Sequence, residues 1–355
     1  MIPAVRPVLR IALVGFGNVG RRFVERLAGP YGRALRSVGV EPRVTGIATA
    51  RHGLAVNDRG LPLGRCLAAV RGGRSLAPLH RGPALRSVAV FVRRVPADVV
   101  VEVTPLDPRR GQPAVAYARA ALRGRRHVVT ANKGPLAFAY GSLKRLAHRQ
   151  GRLFLHESAV MDGAPVFNLV ERCLPGARVL GFRGTLNSTT SLVLTRIEEG
   201  ASAAAAVREA QAMGITEADP GHDLDGWDAA VKGCALANVL MGASVRPASI
   251  RRRGIRGLSI SAVRAAARAG RHFRLVTRAA RTGGRVRISV APEPLPAGDP
   301  LCGAGSDSAL VLETDLMGEI AVLERGGTVE QTAYGLLSDL VTVARAHRSR
   351  GRRRR

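Results

Sequence analysis

The sequence predicts an α/β fold built on a parallel, doubly wound sheet. Three observations predict it. Over the first 156 residues, short β-branched runs alternate with stretches of helical periodicity, the pattern of strand–helix–strand units. Runs such as Val99-Val100-Val101 lack apolar–polar alternation and suit strands covered on both faces. The first run ends in Gly15-Phe16-Gly17-Asn18-Val19-Gly20, a G-x-G-x-x-G that opens a helical segment.

The elements follow in order. A strand fits residues 9–14, and Val19, Phe23, Val24 and Leu27 then share one helical face. Further strands fit 43–48, 98–103, 127–130 and 152–156, with helices at 113–122 and 141–148. Residues 51–94 are rich in Gly and Arg and read as irregular, apart from a short helix near 66–70. The character changes beyond about residue 157. Helices fit 165–173, 188–199, 201–213 and 225–241. A Val-rich strand fits 285–290, apolar runs follow at 309–313 and 319–323, and a last helix fits 332–347. Residues 348–355 read as a disordered basic tail.

With 355 residues, 46% of them hydrophobic and 23% charged, the chain can bury a large core. That excludes a disordered chain, a collagen-like repeat and a disulfide miniprotein. Cys66, Cys173, Cys234 and Cys302 form no C-x-x-C pair, so neither a zinc site nor a disulfide framework is expected. The apolar run at 11–16 is short and ends in the glycine motif rather than a cleavage site, and the run at 234–245 is too short to span a bilayer. The expectation is a cytoplasmic protein with no membrane partner.

The formal net charge is +29. Only Lys133, Lys144 and Lys232 are lysines, so 52 of the 55 basic residues are arginine. So extreme a bias points to codon usage rather than chemistry. The resulting field attracts phosphates and anions nonspecifically, and no specific nucleic-acid partner is expected. Residues 155–232 run against the trend, with eleven Asp and Glu against six Lys and Arg.

The glycine motif has the context of a dinucleotide fingerprint, whose glycines allow a tight turn and let a pyrophosphate approach a helix N-terminus. The second strand ends in Ile47-Ala48-Thr49-Ala50-Arg51, with no carboxylate for a ribose diol, so Arg51 is a candidate for the extra phosphate of NADP. Thr104 and Lys133 follow the third and fourth strands, on the edge where ligands sit in such sheets. A lysine is also the residue arginine cannot replace where a proton must be given up. In the acidic segment 214–232, counting from Gly221 puts Lys232 where a calcium loop needs Glu. Asp228 and Lys232 instead stand at i and i+4 on one helical face, with Glu217 and Asp219 in the preceding loop. A lysine held among carboxylates can act as an acid or base. A solvated salt bridge has the same spacing.

The set Gly15-Phe16-Gly17-Asn18-Val19-Gly20, Val128-Val129-Thr130-Ala131-Asn132-Lys133, Asn187-Ser188-Thr189-Thr190, Glu217-Ala218-Asp219-Pro220 and Asp225-Gly226-Trp227-Asp228-Ala229-Ala230-Val231-Lys232 resembles the homoserine dehydrogenases, in the right order from about residue 11 to 344. The resemblance is to the short form without a regulatory domain. It implies a Rossmann-type NAD(P)-binding domain (1–150 plus about 323–347) and a second, α+β catalytic and dimerisation domain (151–322). It implies Lys232 as the acid/base, Lys133 near substrate and nicotinamide, and Glu217 and Asp228 on the substrate's polar groups. Thr104 and Gly327 would lie against the cofactor. A monovalent cation such as Na+ would sit on backbone carbonyls of Glu157, Val160, Asp162 and Ala164. The expected reaction is NADP-preferring, reversible reduction of L-aspartate 4-semialdehyde to L-homoserine, by a homodimer or homotetramer serving threonine, methionine and isoleucine synthesis. NAD is the other candidate cofactor. Another NAD(P)-dependent oxidoreductase of this fold, acting on a small amino or oxo acid, is the alternative.

Overall fold

The computed structural model describes residues 6–216 and 219–352. β1 (Val8–Val14) leads into α1 (Asn18–Leu27) and α2 (Pro30–Ser37). β2 (Glu41–Ala48), β3 (Leu54–Val56), α3 (Leu63–Arg71) and α4 (Val88–Arg94) follow. β4 (Val99–Glu102), α5 (Ala114–Arg123), β5 (His127–Thr130), α6 (Lys133–Arg149) and β6 (Phe154–Leu155) complete a sheet of order β3-β2-β1-β4-β5-β6. Its pairings are parallel except for β2–β3. From β1 the chain adds β2 on one side and then crosses to place β4 on the other. The reversal opens a crevice beyond the carboxyl ends of β1 and β4, the standard ligand position in such sheets.

The second half opens with α7 (Val166–Asn168) and a π turn at Leu169–Cys173. β7 (Val179–Thr185), α8 (Ser188–Glu198), α9 (Ala203–Ala212), α10 (Gly221–Leu224) and α11 (Trp227–Leu240) come next. β8 (Arg251–Arg252), α12 (Ile260–Arg268), β9 (Arg271–Thr282), β10 (Arg285–Pro296), β11 (Ser308–Thr314) and β12 (Gly318–Glu324) finish a second sheet, ordered β12-β11-β7-β9-β10-β8. Its pairings are antiparallel apart from β8–β10. α13 (Val329–Arg352) then returns to the first sheet. Ala333, Leu336, Leu340, Val343 and Ala344 bury one face of α13 with Leu9, Ile11 and Leu13 of β1 and Phe23 of α1. The opposite face of β1, through Ala12 and Val14, packs with Phe91, Leu122 and Leu136.

Several elements differ from the sequence expectation. Residues 51–94 hold β3, α3 and α4 rather than a largely irregular stretch, and β3 is an antiparallel edge strand. Three residues paired on one side give too short a pattern to read. α6 begins at Lys133, eight residues before the expected start, because Asn132 caps it with a side chain that accepts from Gly134 N. β7 and β9 were not expected. Arg271, Arg274, Arg278 and Arg281 mask the apolar pattern of β9. Residues 348–352, expected in a disordered tail, continue α13. Arginine is a good helix former, and cations suit a helix C-terminus. Residues 353–355 lie outside the described residues. Among the described residues, no helix is long and apolar enough to cross a membrane.

Candidate active site

The glycine loop is shaped by close approach. Gly15 has φ +97°, and a Cβ there would stand 2.4 Å from the Val103 carbonyl oxygen. A Cβ on Gly20 would lie 3.0 Å from the Gly15 oxygen. Around Gly17 nothing lies within 4 Å of such an atom, so this side stays open. Gly17 caps α1 with no side-chain hydrogen bond and no acid in the first turn, leaving backbone N–H groups for an anion. These residues fit a dinucleotide pyrophosphate. Arg51 lies exposed on the turn after β2, where Thr49 N donates to Gly53 O at 2.9 Å.

The neighbouring strand ends are joined by polar groups. Glu102, the last residue of β4, is fully buried. Its carboxyl group accepts from Thr104 N (2.9 Å), from the Thr104 hydroxyl, and from the Thr130 hydroxyl (2.7 Å). Asn132 Nδ2 donates back to Thr104 O (2.9 Å), and Asn132 N donates to Thr130 Oγ1 (3.0 Å). Lys133, the first residue of α6, therefore leaves a pinned turn.

Its Nζ reaches Asp228 Oδ1 at 2.9 Å, and Lys232 Nζ lies 3.5 Å from Asp228 Oδ2. Lys232 also donates to Leu186 O. Asn187 caps α8 and donates from Nδ2 to Asp228 (3.0 Å) and Asp223 (2.8 Å), and Asp223 accepts from Thr189 (2.9 Å) and Thr216 (2.8 Å). Burial pushes the Asp228 carboxyl up, but Lys133, Lys232 and Asn187 outweigh it and hold the group well below the usual carboxylate range. Burial pulls Lys133 down, but Asp228, Asp162 and Asp223 leave it above the ordinary lysine value. The side chains of Lys133, Asp228 and Lys232 keep 21%, 17% and 14% exposure, enough to be touched from a cleft.

That cleft, about 260 Å³, is walled by Val19, Val103, Thr104, Lys133, Asp162 and Lys232, with Ser158, Val160 and Thr332 beside them. It brings the cofactor edge of the first sheet against α11.

Two family models cover the chain. One, described as the NAD-binding domain of homoserine dehydrogenase, matches residues 15–157, and one described as homoserine dehydrogenase matches 165–341. The homoserine dehydrogenase of Methanocaldococcus jannaschii is 34% identical over 340 residues, 94% of this chain and 98% of that protein. The chain belongs to the homoserine dehydrogenase family. It is thus an NAD(P)-dependent oxidoreductase. The NAD(+)-dependent homoserine dehydrogenase of Pseudomonas canavaninivorans is 33% identical over 94% of this chain and 96% of its own length. The solved structure of a hyperthermophilic archaeal homoserine dehydrogenase in complex with NADPH superposes with a TM-score of 0.79, at 29% identity, over 94% of this chain and 97% of that one.

Among the residues singled out from sequence, the fold gathers Thr104, Lys133, Val160, Asp162, Asp228 and Lys232 around the cleft. Glu217 lies outside the described residues. Gly327 packs on Asp162, whose Oδ2 would stand 2.4 Å from an added Cβ. The Glu157 side chain points away into Phe167 N and Asn168 N, at 2.9 Å each. Asp162 Oδ1 accepts from Thr332 at 2.9 Å. Both oxygens of the Glu157 carboxylate are thus engaged, and so is one of the two of Asp162. Among the described residues no group of three or more His, Cys, Asp or Glu is placed to hold a metal ion. Sequence reasoning gave no role to Glu102 or Asp223. The signal for Glu102 was an acid within a valine run.

Proposed function

We propose that this enzyme reduces L-aspartate 4-semialdehyde to L-homoserine, reversibly and with NADP preferred over NAD. The observation that carries the reading is the convergence of Lys133 and Lys232 on Asp228, at the cofactor edge of the first sheet. When bound, the nicotinamide supplies a hydride to the aldehyde carbon. Lys232 donates a proton to the oxygen as negative charge develops there. Asp228 fixes both ammonium groups at the cleft wall, and Lys133 orients the aldehyde from the α6 side. Glu217 and Asp228 hold the substrate's polar groups. The open face at Gly17 takes the pyrophosphate, and Arg51 takes the phosphate that distinguishes NADP. Thr104 contacts the nicotinamide side, and Gly327 closes the loop opposite. The carbonyls of Glu157, Val160, Asp162 and Ala164 form the monovalent-cation set, which would brace the loop beneath the cleft.

The packing of α13 on α1 supports reading residues 1–150 with about 323–347 as the cofactor domain. Residues 151–322 then supply catalysis and self-association into a homodimer or homotetramer, in the cytoplasm.

The test is NADPH oxidation followed at 340 nm with aspartate semialdehyde, beside NADH. Fast turnover with NADPH is expected. Bound NADPH that is never oxidised by this aldehyde would overturn the reading.

A further inference from the structure

The reaction above uses Thr104 and Lys133 but not the acid beneath them. Glu102 ends a strand that otherwise reads Val99-Val100-Val101, and a fourth valine would satisfy the fold more cheaply than a buried carboxyl group. No ion pair to a described residue compensates its burial, which pushes its pKa up, while the Thr104 and Thr130 donors pull it down. All its partners belong to the two strand ends that form the cleft wall.

The bonds close a ring. Glu102 takes Thr104, two residues beyond its own strand, and Thr130 on β5. Thr130 takes Asn132 N, and Asn132 returns to Thr104 O and to Pro105 O (3.3 Å) while accepting from Gly134 N (2.8 Å). Lys133 sits between Asn132 and Gly134, both of which are pinned. Both Thr104 and Lys133 face the cleft.

We propose that Glu102 is a positioning residue for hydride transfer, its carboxyl group fixing the spacing between Thr104 on the cofactor side and Lys133 on the substrate side. The role rests on the reaction proposed above. A small misplacement of reacting groups costs rate more than affinity, since the glycine loop still holds the cofactor.

Glu102→Gln tests it while conserving volume. The glutamine oxygen can serve Thr104, but its amide must donate to Thr130 Oγ1, which already accepts from Asn132 N, so the Thr130 hydroxyl proton loses its acceptor and the β5 arm is reversed and weakened. Thr130→Val removes the same arm together with the acceptor for Asn132 N, and Thr130→Ser keeps both. The measurements are the single-turnover rate of NADPH oxidation by aspartate semialdehyde and the NADPH dissociation constant. Glu102→Gln and Thr130→Val should each slow the rate about tenfold and leave NADPH affinity within about twofold. The double variant should be no slower than Thr130→Val alone, which already removes the Glu102–Thr130 connection. Thr130→Ser should retain the wild-type rate.

A folded Glu102→Gln protein at the wild-type rate would overturn the role. So would multiplicative losses in the double variant, or affinity lost in step with rate. If Glu102→Gln does not fold, the two Thr130 variants decide, and equal rates in Val and Ser overturn the role. A wild-type enzyme that binds NADPH without turnover overturns the reaction itself, whereas active wild type with equally active variants overturns only the positioning.

Discussion

Two stretches of this chain use charge in opposite ways. The first 150 residues hold 27 Lys and Arg against six Asp and Glu, whereas residues 155–232 hold six against eleven. In the first, arginines such as Arg33, Arg59, Arg65, Arg93 and Arg109 stand exposed. In the second, Glu157, Asp162, Asp223 and Asp228 turn inward onto partners of their own chain. Those exposed positions of the first stretch carry arginine rather than lysine. The site holds lysine instead: two of the three lysines meet on one aspartate.

The largest test of that contrast is at Lys232. Lys232→Ala should lower kcat by about 10²–10⁴-fold with NADPH affinity nearly unchanged. Lys232→Arg should restore little, because a guanidinium keeps its charge but gives up a proton poorly. Steady-state kinetics beside a binding titration would check both, and full activity in the arginine variant would erase the distinction between site and surface. Gly15→Ala tests the basic half at the one place where shape outweighs charge. Strain at φ +97° and the contact with Val103 should cost about 2 kcal/mol of stability and much of the cofactor affinity, read by urea unfolding and NADPH titration.

A smaller effect is expected at Arg51. Arg51→Ala should weaken NADP about tenfold, the scale of one charge-assisted hydrogen bond, and leave NAD alone. Equal effects on the two cofactors would return Arg51 to the general surface population. The smallest is a pH dependence from the acidic half. Asp228 titrates lower when folded than unfolded, so its stabilisation is complete above the unfolded value of about 3.9 and is lost as pH falls toward the folded one. Between pH 7 and pH 3 the wild type should therefore lose about 1 kcal/mol more stability than Asp228→Asn, measured by urea midpoints. Parallel losses would mean that the aspartate is not held by its lysines.

Most of the first sheet was legible because its strands are continuous apolar runs and its glycine loop has fixed spacing. The lysine–aspartate pair on α11 was legible from i,i+4 spacing, but Lys133, some hundred residues earlier, joins it only through the fold. β9 was hidden because its arginines interrupt the alternation while Arg274 is buried against Glu198 and the Gly303 carbonyl, at 3.0 and 3.2 Å. Glu102 stayed hidden for the opposite reason. A single acid ending a valine run has no periodicity to break, and its partners become neighbours only when β4 and β5 pair.

The return of α13 also constrains how the protein is made. Leu9, Ile11 and Leu13 share their buried face with residues 333–344. On a ribosome the first strand emerges more than 300 residues before the helix that covers it. Until residues 333–344 have emerged, that half of the molecule presents an uncovered apolar surface, the condition under which nascent chains aggregate or need a chaperone. The order of synthesis thus runs against the order of burial, and the first sheet, although made before the second, is covered after it.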